Sequence, residues 1–258
     1  MRRTSLTIRL FSLAAGVLLS LAAVAADHGV IRIGTTASQT GEYAQLGTDQ
    51  LQGLLMWEAD LNSRGALLGN RVEVVAYDDG SDPQQAAELY ERMITEEGVD
   101  FLIGPYSSDI TLAAAEVAER HNMPMVAAGA AASEPWEQGH SNVFQVDARA
   151  RDYFDLPIEF AHEQGLTRIA LVYAGTEFPR EVAAGVREEA ARLGMQVVFD
   201  EEYPNGSTEF TDIVARMRAT SPEVLLGGTY LDDSIALVRA TKAANLSPKL
   251  FALTVGPA

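Results

Sequence analysis

Two adjacent serines, Ser107 and Ser108, stand in the stretch GPYSSDIT (residues 104–111), between an apolar run and an alanine-rich amphipathic run. Serines at a strand-to-helix junction suit three roles. One of them could be a nucleophile, both could hold a phosphate or carboxylate, or they could cap the helix, because the free N–H groups of a helix N-terminus accept anions and side-chain oxygens.

The nucleophile hypothesis lacks its supporting residues. The G-x-S-x-G motif that exposes a catalytic serine is missing around residues 104–111. No histidine lies in a motif that would place it against a serine; the four are His28, His121, His140 and His162. We therefore predict that the protein is not an enzyme and that the serines have no catalytic role.

Metal and phosphate-cofactor sites are also not indicated. The acidic stretch DDGSD (78–82) lacks the alternating spacing and the distant glutamate of a calcium loop, and the chain has no cysteine. Residues 34–41 do not have the spacing of a dinucleotide-binding motif, and no Walker A motif occurs. We expect neither a metal nor a cofactor.

Short apolar runs alternate with longer amphipathic runs along the chain, which predicts an α/β protein with parallel sheets. The predicted strands are Val30–Thr35, Val72–Tyr77, Phe101–Ile103, Pro124–Ala127, Arg168–Tyr173, Gln196–Phe199, Val224–Leu226 and Leu250–Leu253. The predicted helices are Gln45–Asn62, Pro83–Glu96, Ile110–Arg120, Ala150–Glu163, Pro179–Leu193, Glu209–Met217 and Asp232–Ala243. A further short run, Asn142–Val146, arrives with no full helix before it, so we place the boundary between two lobes there.

The first 26 residues have the pattern of a secretory signal peptide. Arginines precede an apolar stretch that ends in small residues, with cleavage predicted near Ala25 or Ala26; a membrane anchor is the alternative. The net charge is −17, which argues against nucleic acid or an anionic membrane as a partner. An exported protein without cysteine relies on its hydrophobic core, and we expect it in the periplasm without direct membrane insertion.

These features favour a site for a small ligand. In an open parallel sheet, ligands bind at the carboxyl ends of the strands. The loops predicted there are 35–42, 104–108, 128–133, 174–178 and 227–230. Ser108 and neighbouring amides could hold a carboxylate, while Phe178 and Tyr230 could cover an apolar group.

Several stretches resemble the type I periplasmic binding proteins of ABC importers, within them the branched-chain amino acid (Leu/Ile/Val) binding group. The stretches are IRIGTTASQTGEYAQLGTDQLQGLLMWEADLNSRGALLGNRVEVVAYDDGSDPQQA, FLIGPYSS, PMVAAGAAASEP, RIALVYAGTEFPREVAAGVREEAARLGMQVV and VLLGGTY. The resemblance implies two Rossmann-like lobes joined by a hinge, and a partner permease in the membrane. It implies lobes at 27–143 and 144–252, with 253–258 starting a return crossing, and a chain that stops short at its C-terminus.

The resemblance also implies a set of ligand-binding residues. Ser108 matches the serine that holds the ligand carboxylate, and Gly129 matches the residue whose carbonyl accepts the ligand ammonium. The full predicted set is Tyr106, Ser107, Ser108, Gly129, Ala130, Ala131, Phe178 and Tyr230.

Two departures weaken leucine-type specificity. Ala131 stands where the family uses a threonine, and no acid lies near Thr254, where the family pairs an acid with the ammonium. The expected ligand is thus an amino acid or a related small polar compound, with an amide, a urea-like compound or an aromatic acid still open. A sensory ligand-binding domain of the same fold is the alternative to an uptake protein.

Overall fold

The computed structural model describes residues 29–133 and 139–255. The predicted signal peptide, its cleavage site near Ala25 or Ala26, His28 and the last three residues of the predicted 253–258 segment lie outside the described residues. Within the two described ranges, no helix is long and apolar enough to cross a membrane.

The described residues form nine strands in two sheets, and every pair of neighbouring strands is parallel. The first sheet has the order β2-β1-β3-β4-β5 and the second β7-β6-β8-β9. The strands are β1 Val30–Ala37, β2 Arg71–Asp78, β3 Phe101–Ile103, β4 Met125–Ala127, β5 Val143–Gln145, β6 Arg168–Ala174, β7 Gln196–Tyr203, β8 Val224–Gly228 and β9 Leu250–Leu253.

Helices connect most of these strands, as right-handed βαβ units require. They are α1 Ala44–Ser63, α2 Pro83–Thr95, α3 Ser108–Arg120, α4 Asp155–Glu163, α5 Glu177–Arg192, α6 Thr211–Ala219 and α7 Leu231–Ala243. The prediction of an α/β fold with two parallel sheets is confirmed.

One predicted helix is shorter than expected. The predicted segment Ala150–Glu163 divides into a 3-10 turn at Ala150–Asp152 and α4, which starts at Asp155. Pro157 explains the late start, because proline fits the first turn of a helix but would remove a hydrogen bond from the interior of a longer one. The residues between the 3-10 turn and α4 therefore do not belong to the helix, and one of them, Tyr153, lines a cavity described below.

The central strands of the second sheet are buried on both faces. Ile169, Leu171 and Leu225 are fully buried in β6 and β8, which accounts for the nearly continuous apolar runs in those strands. In the first sheet, Leu102 and Met125 are buried on the face that also packs against buried side chains of α2 and α3.

Helix ends follow the sequence signals. Asp82 precedes Pro83 at the start of α2, and its Oδ1 accepts hydrogen bonds from the backbone N–H groups of Gln84 (2.8 Å) and Gln85 (3.2 Å). Gly165 follows α4 with a φ of +74°, a left-handed conformation in which glycine has no steric penalty. Asp82 and Gly165 thus mark the start of α2 and the end of α4.

The chain passes from the first sheet to the second just after β5. Phe144 pairs with Val126 of β4, so β5 belongs to the first sheet, and residues 146–149 then lead toward the second. We propose that the division between the two lobes lies at this strand, next to the predicted position after residue 143.

Candidate functional site

The carboxyl ends of strands from both sheets surround a cavity of about 120 Å³. Seven of the eight sequence-predicted residues line it, and Ala130 does not. The lining residues come from loops of both halves of the chain: Tyr106, Ser107, Ser108, Gly129, Ala131, Asp147, Tyr153, Phe178, Tyr230, Thr254 and Val255.

Ser107 immediately precedes α3, but its side chain does not cap that helix. Ser107 is only 2% exposed, and its Oγ has no hydrogen-bond partner among the described residues. A buried hydroxyl without a hydrogen-bond partner destabilises the folded protein, and a hydrogen bond to a ligand would offset this cost. The geometry therefore argues against capping by this side chain and favours a contact with a ligand group in the cavity.

Ser108, the first residue of α3, joins that helix to the loop after β4. Its Oγ accepts hydrogen bonds from the backbone N–H groups of Ala131 (3.3 Å) and Ala132 (3.2 Å). A hydroxyl can accept two hydrogen bonds and still donate one. Ser108 can therefore position the loop and donate its proton to an acceptor in the cavity.

Gly129 lies where two backbone segments approach closely. It forms an isolated parallel bridge with Tyr106, and a Cβ at this position would lie 2.8 Å from Gln50 Oε1 and 3.1 Å from the carbonyl oxygen of Pro105. The neighbouring Ala130 is 1% exposed and packs into the core of the first half. This burial explains why Ala130, although predicted, does not line the cavity.

Aromatic rings form much of the cavity wall and extend beyond it. The Tyr230 ring centroid lies 5.1 Å from that of Tyr43 and 6.2 Å from that of Phe178, and Phe178 lies 5.3 Å from Tyr153. Tyr106 meets Tyr43 edge-on at 5.6 Å. Burial raises the pKa of the Tyr106 and Tyr230 hydroxyls, so both are neutral hydrogen-bonding groups at physiological pH.

Four residues that line the cavity were not in the predicted set: Asp147, Tyr153, Thr254 and Val255. Asp147 follows β5, so the rule that ligand groups lie at strand ends could have found it had that strand been included. Tyr153 lies in the turn before α4, which was predicted as helix. Burial raises the pKa of the Asp147 carboxyl.

One acidic residue, Asp147, lines the cavity together with Thr254. Thr254 Oγ1 donates to the carbonyl oxygen of Thr229 and accepts from the Thr229 N–H, both at 2.9 Å. No acid is close to Thr254 in sequence, but Asp147 reaches the same cavity from the segment that follows β5.

Hydrogen bonds join the two halves of the chain close in sequence to residues that line the cavity. The Ser133 side chain donates to Glu181 Oε1 (2.7 Å), and the Glu177 N–H donates to Asp109 Oδ1 (3.1 Å). The Ala150 N–H donates to the carbonyl oxygen of Ala131 at 2.8 Å. The halves are thus in direct contact, in a closed arrangement.

The groups that serine or metal chemistry would need are placed elsewhere. His121 Nε2 lies 2.7 Å from Glu91 at the far end of α3, and no described histidine lines the cavity. Asp79 accepts hydrogen bonds from Thr36 (2.7 Å) and Ser38 (2.6 Å), so this carboxylate connects the loop after β2 to the end of β1. Residues 29–133 and 139–255 contain no group of three potential metal ligands.

Comparison with known proteins identifies the family of this chain. The model of the periplasmic binding protein family matches residues 30–258. The Leu/Ile/Val-binding protein of Escherichia coli (strain K12) is 25% identical over 222 residues, which are 86% of this chain and 60% of that protein. The Leu/Ile/Val-binding protein homolog 7 of Brucella melitensis is 25% identical over 237 residues, 88% of this chain and 59% of that protein.

Solved structures agree on the fold. The substrate-binding protein LivJ of Streptococcus pneumoniae, in complex with isoleucine, has a TM-score of 0.78 at 20% identity, covering 86% of this chain and 63% of that one. A solute-binding protein of an R. palustris ABC transporter, in complex with benzoate, has a TM-score of 0.78 at 23% identity, covering 89% and 62%. The chain thus spans about 60% of the length of these relatives, and it belongs to the periplasmic binding protein family.

Proposed function

We propose that this protein is the solute-binding component of an ABC importer. It acts in the periplasm, binds one small molecule between its two halves, and presents that molecule to a permease in the membrane. It performs no chemical reaction on the ligand. Membership of the periplasmic binding protein family and the predicted signal peptide support this proposal.

One observation is the main support: the buried, unpartnered hydroxyl of Ser107 lines a cavity between the two halves. It stands at the N-terminus of α3, where free N–H groups and the helix dipole favour a negatively charged group. The rings of Tyr153, Phe178 and Tyr230 supply apolar surface. A small compound with one polar and one apolar end suits this combination.

An amino acid or a related small polar compound is the proposed ligand class. Two relatives are named for Leu, Ile and Val, and two of the similar structures contain isoleucine and benzoate. Tests should therefore include amino acids, amides, short-chain acids and aromatic acids.

Thermal unfolding of the purified protein against this panel tests the proposal. A ligand present at about 100 times its Kd adds about 2.7 kcal/mol of stability, which raises Tm by several degrees. We expect one chemical group to produce such a shift. A cooperatively unfolding protein that responds to none of the compounds would contradict the proposal.

Replacement of Ser107 then connects binding to the cavity. Ser107→Ala removes a buried hydroxyl that has no partner among the described residues, so the unfolding temperature without ligand should stay equal or rise. Ligand affinity should fall about two- to tenfold, as for the loss of one hydrogen bond. Ser247→Ala, on an exposed loop before β9, is the matched control and should change neither quantity.

A further inference from the structure

Asp147 is the one charged residue among the described residues that line the cavity. It lies between β5 and the 3-10 turn, and the residue is exposed to solvent. Tyr106 and Tyr153 line the same cavity, and although burial is the main cause of the raised pKa of each hydroxyl, the negative charge of Asp147 contributes to both. The carboxylate therefore shares the cavity wall with two tyrosines and acts on both hydroxyls electrostatically.

The donors of the cavity lie at the start of α3. Ser107 has an unpartnered hydroxyl, and Ser108 has a proton to donate. No Lys, Arg or His among the described residues lines the cavity. A ligand carboxylate would meet neutral donors only, and Asp147 would repel it unless the ligand also carried a positive charge.

We propose that Asp147 determines specificity: it pairs with a cationic nitrogen of the ligand and rejects carboxylic acids that lack one. This inference rests on the proposed function, and it assigns the cation partner to a residue in the segment between β5 and the 3-10 turn. Simple aromatic and aliphatic acids are then outside the ligand range, while compounds with a protonated amine are within it.

Matched pairs of compounds test the inference by isothermal titration calorimetry. The pairs are L-leucine with 4-methylpentanoate, and L-phenylalanine with 3-phenylpropanoate, with benzoate added as a third acid. In the wild type we expect the amine-bearing member of a pair to bind at least tenfold more tightly than its partner, about 1.4 kcal/mol. Asp147→Asn should remove most of this preference, and Asp147→Glu should keep it.

Asp212→Asn is the control, because it removes one exposed carboxylate from the first turn of α6, away from the cavity. It should leave the preference unchanged. Tight binding of benzoate or another simple acid by the wild type would overturn the role of Asp147 while supporting a solute-binding protein. Binding of an amine that is equally tight in Asp147→Asn would overturn it too. If the wild type bound none of the wider panel, the proposed function would fail, and this inference with it.

Discussion

The side-chain nitrogen of Asn205 lies 2.8 Å from Oε2 of Glu42, and this hydrogen bond joins the two halves of the chain. Asn205 follows β7 of the second sheet, and Glu42 follows β1 of the first. The same nitrogen lies 3.2 Å from the hydroxyl of Tyr43. A single amide thus holds two groups of the opposite half near the cavity and contributes to the closed arrangement.

Asn205→Ala should weaken ligand binding by about two- to tenfold, because a net hydrogen bond contributes about 0.5–1.5 kcal/mol. Asn205→Asp should have a larger effect, since it replaces a donor by a carboxylate facing Glu42. Calorimetric affinities for the best ligand of the panel, with small-angle scattering to follow closure, would measure both. Affinities equal to that of the wild type in both variants would show that this contact does not stabilise the closed form.

Glu42 should make stability depend on pH. Its pKa is raised, first by burial and then by the carboxylates of Asp233, Asp109 and Asp232. The folded protein therefore holds this proton more tightly than the unfolded chain does, and stability falls as the pH rises from the ordinary glutamate pKa through the raised one.

Glu42→Gln, which keeps an acceptor for Asn205, should therefore raise the free energy of unfolding at pH 7 by less than about 1 kcal/mol. The gain should vanish near pH 4, below the ordinary pKa of about 4.3. Glu91→Gln is the control, and it should lower the free energy of unfolding at pH 7, because hydrogen bonds from Arg120 and His121 lower the pKa of Glu91. Urea unfolding at both pH values measures the differences, and a constant gain across this range would refute the charge explanation.

Gly129→Ala should destabilise the protein by about 1–3 kcal/mol, the usual cost of forcing extra atoms into a packed region. The new Cβ would approach Gln50 Oε1 and the Pro105 carbonyl, and of these the backbone carbonyl has little freedom to move. Gly53→Ala is the control, because Gly53 is exposed within α1 and has no atom within 4 Å of an added Cβ. It should be neutral or stabilising by up to about 1 kcal/mol.

Asp82→Ala should cost about 1 kcal/mol of stability, because it removes the side-chain acceptor at the start of α2. Asp82→Asn should cost much less, since asparagine is an equally good cap. Urea unfolding at pH 7 compares the two variants. Equal losses would mean that the charge of Asp82, and not its hydrogen bonds, stabilises the helix.

The fold could be predicted from sequence because its determinants are local. Alternating apolar runs, Asp82 before Pro83, and Gly165 after a helix each act within a few residues. The largest error in a helix boundary, before α4, has a local cause in Pro157 as well; the other helix boundaries differ from the prediction by at most two residues.

The candidate site was only partly predictable, because its members meet through tertiary structure. Strand ends and the family resemblance led to Ser107 and Ser108, whereas Asp147 was left out because the end of β5 was not counted among the candidate ligand loops. The burial of Ala130 depends on which way a loop residue turns, and the unpartnered state of the Ser107 hydroxyl depends on its surroundings. Both properties are set by contacts between residues far apart in sequence, so the sequence pattern alone does not reveal them.

The ring contacts from Tyr43 through Tyr230 and Phe178 to Tyr153 give the protein an intrinsic optical signal. Tyr43 belongs to the first half, and Tyr230 and Phe178 to the second, so separation of the halves would break the contact between Tyr43 and Tyr230. Fixed aromatic packing produces near-UV circular dichroism, which is lost when that packing is lost. Closure around a ligand should therefore be visible in the tyrosine region of the spectrum without any attached dye.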